Sequence, residues 1–231
     1  DLTAGYAPGS VVYRAFEQAI DGSRTANPDA YGHGTHVASV AAGQSIAGAP
    51  DAAGIAPGAT LHDVRVLDAN GVGQISDVLA GIDWAIANRM AYNIRVLNLS
   101  LAAPTVGSFL NDPLCRAVRS ATAMGMVVVV AAGNYGVTSN GVEILGAIGS
   151  PGNEPSAITV GSAHHHDTLA RADETLNRFS SRGPTRSGWT DADGLRHHDN
   201  LLKPDLVAPG NRIVGALAGS ANALLAANPF L

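Results

Sequence analysis

The sequence predicts an α/β fold: a parallel β-sheet flanked by helices on both faces. Three observations point there. Short apolar, β-branched runs alternate with longer segments of helical periodicity. One of those runs, Met126 to Ala132 (MVVVVAA), is apolar throughout, as suits a parallel strand covered on both sides. Hydrophobic residues make up 46% of the 231 positions and charged residues only 14%, which supports one large core and excludes a disordered chain. A single domain spanning 1–231 is expected from this length.

The elements follow in order. Val11 to Phe16 reads as a short strand. His33 to Ala42 (HGTHVASVAA) reads as a helix entered through Tyr31-Gly32. Thr60 to Leu67 reads as a strand. Ser76 to Ala91 reads as a helix, with Ser76 as its cap and Val78, Leu79, Ile82, Ala85 and Ile86 at helical spacing. Ile94 to Leu99 is the next strand. Asn111 to Gly125 is a helix with Asp112 and Pro113 at its start and Gly125 as its stop. Ala157 to Gly161 and Arg212 to Ala216 complete the strands. Ala163 to Asn177 and Thr185 to Leu202 read as surface loops.

Composition narrows the function classes. The net charge of -5 argues against nucleic-acid binding, which asks for a basic stripe. The longest apolar run has seven residues, against about 20 for a membrane-spanning helix. Cys115 stands alone, so no internal disulfide forms. No Gly-rich phosphate loop of GxGxxG form follows a strand, which disfavours a nucleotide-binding domain.

Three segments carry chemistry. In Tyr31-Gly32-His33-Gly34-Thr35-His36, a histidine enters a helix between glycines that let a peptide backbone come close. Taken alone, His33 reads first as a capping or surface residue. A His33/His36 metal pair lacks the glutamate of HExxH and a third ligand. Asn98 to Ala103 (NLSLAA) is a strand running into a turn. Val130 to Asn134 (VAAGN) ends in an asparagine whose amide can donate into a cleft, as acyl transfer requires when negative charge develops on a carbonyl oxygen. A turn asparagine is the plain alternative.

In series, HGTHVA, VLNLSL, VVVAAGN, SPGNEPSAITVG, FSSRGP and KPDLVAPG resemble the subtilisin-like serine proteases, from Asp1 to about Ala216. The resemblance implies a three-layer fold and a set of roles. His33 is the general base and His36 a buried structural residue. Asn134 donates to the oxyanion. Ser100, Leu101 and Ala102 form a backbone rail and one wall of the primary specificity pocket, and Ala131, Ala132 and Gly133 form the other wall. Gly71, Val72 and Gly73 form a second rail that pairs with the substrate as a β-strand. Pro151 matches a position that is usually a cis proline. The expected partners are polypeptide substrates, with a pro-segment as a further candidate, the expected place is extracellular, and no cofactor is required.

Two departures from the family pattern stand out. Ala102, with Ala103 beside it, occupies a position usually held by glycine, so a methyl group narrows the pocket or tilts the rail. Asp1-Leu2 matches a calcium-binding pair, but Gln44 to Pro50 does not reproduce the calcium loop, so a structural calcium stays open. No metal ligand set is assigned, and the His164-His165-His166 and His197-His198 clusters read as solvated loop histidines.

The family's strand bearing the acid and its helix bearing the serine have no counterpart in this chain. Asp1 lacks the strand context of the acid. Ser220 lacks the nucleophile's neighbours and reads as a helix cap. The polypeptide alone is therefore expected to be inactive, and residues 60–67 and 94–99 are expected to flank a gap about two strand spacings wide, roughly 10 Å. The reading that competes with an endopeptidase is a non-catalytic peptide-binding module on the same fold.

Overall fold

The computed structural model describes residues 29–45, 53–105, 107–219 and 222–227. Two compact units are distinguished, residues 1–81 with 214–231, and residues 82–213.

In the first unit, α1 spans His33–Ala42 as expected. Its N-cap is Gly32 at φ 97, a left-handed conformation that a side chain would strain. Helix α2, Ile75–Asn88, runs across the unit boundary. It begins one residue before Ser76, so that serine lies in the first turn and is not the cap. Instead Asp77 Oδ2 accepts the N–H of Gln74 at 3.3 Å. From Val78 to Ile86 nearly every side chain is buried, the pattern of a helix enclosed on all sides. The short helix α4, Ala223–Ala227, docks by backbone bonds from Ala223 to Ala30 and from Leu224 to Tyr31. The expected strand at residues 60–67 is absent. No backbone group there enters a described ladder, and a strand exists only through its partner. The expected strand at residues 11–16 lies outside the described residues.

The second unit holds the sheet. Strands β1 (Val96–Leu99), β2 (Val127–Ala131), β3 (Ile158–His164) and β7 (Leu206–Pro209) run parallel in the order β1-β2-β3-β7. The short β4 (Thr175–Leu176) pairs antiparallel with the end of β3. Among the described residues β1 has β2 as its one ladder partner, so the gap expected between it and residues 60–67 has no strand on its far side to define it.

Two corrections concern the last third of the chain. No strand forms at residues 212–216, which enter no described ladder; the last strand of the sheet is β7, upstream of it. The segment expected to be a loop at residues 185–202 contains a hairpin, β5 (Gly188–Thr190) and β6 (Arg196–His198), closed through Asp191 and Gly194.

Helix α3, Pro113–Ala123, shows why local sequence suffices where it does. Asp112 caps it, accepting the N–H groups of Leu114 and Cys115, and Pro113 takes the first turn. Leu114, Ala117, Val118 and Ala121 recur at i, i+3, i+4 and i+7 and bury one face, and α3 packs on β2. Gly125, at φ 86, stops it.

Candidate active site

In the first unit the site is built around the entry to α1. Asp29 Oδ1 accepts the N–H of Gly32 at 2.8 Å, and Oδ2 accepts that of Thr35 at 2.7 Å. One carboxylate thus binds the chain on both sides of His33. Burial alone would raise the Asp29 pKa, but the bonds from Thr35 and Gly32 outweigh it and hold the carboxyl below its usual range. His33 is half-buried, with the Tyr31 ring 6.4 Å away. Its pKa is lowered, first by burial and second by His36, while the Asp29 charge opposes both. The imidazole is therefore kept neutral and able to accept a proton. His36, expected to be buried, is only half-buried; it lies against Gly215, where an added Cβ would stand 2.6 Å from its ring.

The expected second rail lies in the same unit. Asp68 closes it into a turn: its N–H goes to the Val72 carbonyl at 2.8 Å, and its Oδ1 accepts from Val72 and Asn70. The backbone groups of Val72 are thereby used up within the turn. Gly71, at φ 74, lies against Tyr31, whose ring would be 2.5 Å from an added Cβ. Gly73 backs onto the Val66 carbonyl in the same manner.

The second unit holds the other candidates. β1 ends at Leu99 and delivers Ser100, Leu101 and Ala102. β2 ends at Ala131 and delivers Ala132, Gly133 and Asn134. Because β1 and β2 are adjacent parallel strands, both stretches leave the sheet at its carboxyl edge, where ligands of open α/β sheets bind. Asn134 is exposed, and among the described residues its side-chain amide makes no hydrogen bond, so its N–H groups remain free to donate.

The loop containing Pro151 ties the two stretches together. Ser150-Pro151 is cis, as expected. Ser150 exchanges two backbone bonds with Ala103, both 2.9 Å, and Gly149 donates to the Ala132 carbonyl at 2.9 Å. Behind this loop, the buried Glu154 meets Arg119 of α3 at 2.6 Å, and Cys115 donates to Asn153 Oδ1 at 3.1 Å. The Cys115 pKa is raised, first by burial, then by Asp112 and Glu154, so the thiol stays protonated and structural.

Asp1 and Ser220 lie outside the described residues, as does most of the segment at residues 44–50 on which the calcium question turns. Among the described residues no group of three metal-ligating side chains is assembled. His164 and His166 stack on one another at 4.2 Å, and His166 bonds Thr175.

Sequence reasoning missed two residues that shape the site. Asp29 sits three positions before the helix cap, outside the N-cap and N3 positions of the usual capping patterns, so no local pattern singles it out. Tyr135 follows Asn134, and its hydroxyl donates to the Ala102 carbonyl at 3.1 Å; no local pattern predicts that contact.

Comparison with known proteins gives a consistent result. The model of the Subtilase family matches residues 8–228. Serine protease AprX of Bacillus subtilis (strain 168) is 36% identical over 195 residues, covering 80% of this chain and 39% of that protein. Subtilisin E of the same organism is 35% identical over 195 residues, covering 78% of this chain and 46% of that protein. The chain thus spans less than half the length of these two relatives. Among solved structures, Sphericase superposes with a TM-score of 0.62 at 27% identity, covering 88% of this chain and 66% of that one. The S41 Psychrophilic Protease gives the same TM-score at 28% identity, covering 81% and 55%.

Proposed function

The chain belongs to the subtilase family, and on that premise we propose that it is the catalytic domain of a serine endopeptidase that cuts peptide bonds by acyl transfer. The observation that supports this most directly is the environment of His33. A half-buried imidazole held below its ordinary pKa is neutral at working pH, which is what a general base must be.

The proposed roles follow. His33 takes the proton from a serine hydroxyl as its oxygen bonds to the scissile carbonyl carbon, then returns that proton to the leaving amine. Asn134 donates its side-chain N–H to the oxyanion formed in that step. Ser100, Leu101 and Ala102 form one rail for the substrate backbone; Gly71 and Gly73 form a second, since Val72 spends its backbone groups within its own turn. Ala131, Ala132 and Gly133 complete the pocket for the residue before the scissile bond. Water hydrolyses the ester by the same route in reverse. The serine and aspartate of such a mechanism are not assigned to any residue of this chain. Extracellular action is part of the proposal; among the described residues no helix is long and apolar enough to cross a membrane.

The test uses protein expressed from the complete gene. A chromogenic tetrapeptide should be hydrolysed, a serine-directed phosphonate should abolish turnover, and His33→Ala should lower kcat by at least about 10³-fold. Turnover that survives His33→Ala or the phosphonate would refute the proposal. Tight peptide binding with no turnover in the parent would favour the binding-module reading instead.

A further inference from the structure

Gly149 and Ser150, bonded to Ala132 and Ala103, form a floor between the two proposed pocket walls. The space over this floor is not open. The backbone N–H of Tyr135 is held by Ser181 Oγ at 3.0 Å, which anchors the residue next to Asn134. From there its side chain reaches across to the opposite wall and donates to the Ala102 carbonyl. A Cβ added to Gly133 would stand 3.0 Å from Tyr135 Cδ2. One added to Gly149 would stand 3.2 Å from Tyr135 Cε2 and 2.9 Å from the Ala102 methyl. The ring, that methyl and the two glycines therefore already share one small volume. A cavity of about 230 Å³ does open nearby, lined by Thr105, Ile148, Arg186 and Arg196 among others, but no residue of either wall lines it.

We infer that Tyr135 is a specificity-determining residue: its ring fills the primary pocket and restricts the residue before the scissile bond to glycine, alanine or serine. This rests on the wall assignment in the proposed function. A large apolar side chain entering here must expel the ring and break the bond to Ala102. The ring, and not the hydroxyl alone, does the excluding, so Tyr135→Phe and Tyr135→Ala separate the two contributions.

The experiment again uses protein from the complete gene, with two readouts. The first is kcat/KM for tetrapeptide substrates with Ala or Phe before the scissile bond. The second is calorimetric binding of peptides ending in Ala or Phe, which needs no turnover. The parent should favour Ala over Phe at least tenfold in both, Tyr135→Phe should keep that preference, and Tyr135→Ala should shift the ratio at least tenfold toward Phe, within the range that pocket-filling groups command. An unchanged ratio in Tyr135→Ala, or a parent that prefers Phe, overturns the inference. Turnover that survives His33→Ala would instead strike at the catalytic proposal, while the binding ratios would still judge Tyr135.

Discussion

The carboxylate of Asp29 accepts the backbone N–H of Thr35 at 2.7 Å, six residues along the chain, and in doing so encloses His33. The same group bonds Gly32, so it satisfies two of the orphan donors at the start of α1 and sets a negative charge beside the helix dipole. Asp29→Ala should lower stability by about 1–2 kcal/mol, as loss of a helix cap does. Denaturant midpoints at constant slope would measure it, and a change within 0.3 kcal/mol would refute the capping role.

Asp29→Asn keeps an acceptor and removes the charge. Because that charge raises the His33 pKa against burial and His36, its loss should move the His33 titration to still lower pH. NMR of labelled histidine would show this directly. An unmoved or raised titration would mean that the carboxylate does not act on the imidazole.

His33 also links pH to stability. Its folded pKa lies below the ordinary value of 6.5, so the folded state disfavours the imidazolium. The sign follows: the stability associated with the neutral ring is fully present above the unfolded value and is lost as pH falls from 6.5 through the lower folded pKa. His33→Gln cannot take up that proton. The stability difference between parent and variant should therefore shift against the parent below pH 6.5 and stay flat above it. A difference independent of pH would refute this.

Among the described residues the Asn134 amide makes no hydrogen bond, so replacing it removes no resting contact and tests the proposed oxyanion role alone. Asn134→Ala should lower kcat roughly 10²–10³-fold with little change in KM, the magnitude that loss of an oxyanion-hole donor has in subtilisin. Its folding midpoint should stay at the parent value. A kcat within threefold of the parent would remove it from the oxyanion site.

Lys203 ties β7 to β3. Its buried ammonium donates to the Ala157 carbonyl at 2.8 Å and to Asp205 Oδ2 at 2.7 Å, while Asp205 also accepts the N–H of Thr159. Lys203→Met orphans a buried carbonyl and leaves Asp205 unpaired at a partly exposed position. The expected cost is about 2–3 kcal/mol, below that of breaking a fully buried pair. A loss under 1 kcal/mol in equilibrium unfolding would show that water replaces the ammonium.

Helix α1, helix α3 and strand β2 were legible in the sequence because each is specified by neighbours within a few positions. His33 and Asn134 were legible as members of short motifs, at a helix start and a strand end. Residues 60–67 and β7 were not, since a strand is a relation between two segments and residue pattern names only one of them. Local pattern likewise places Tyr135 beside Asn134, but Ala102 and Gly149 reach it only when β1, β2 and the Pro151 loop close on one another. Short-range backbone preferences and capping bonds therefore settle the helices and name the candidate residues of the proposed site. Long-range hydrogen bonding between chain segments settles the sheet order and brings Tyr135 to Ala102.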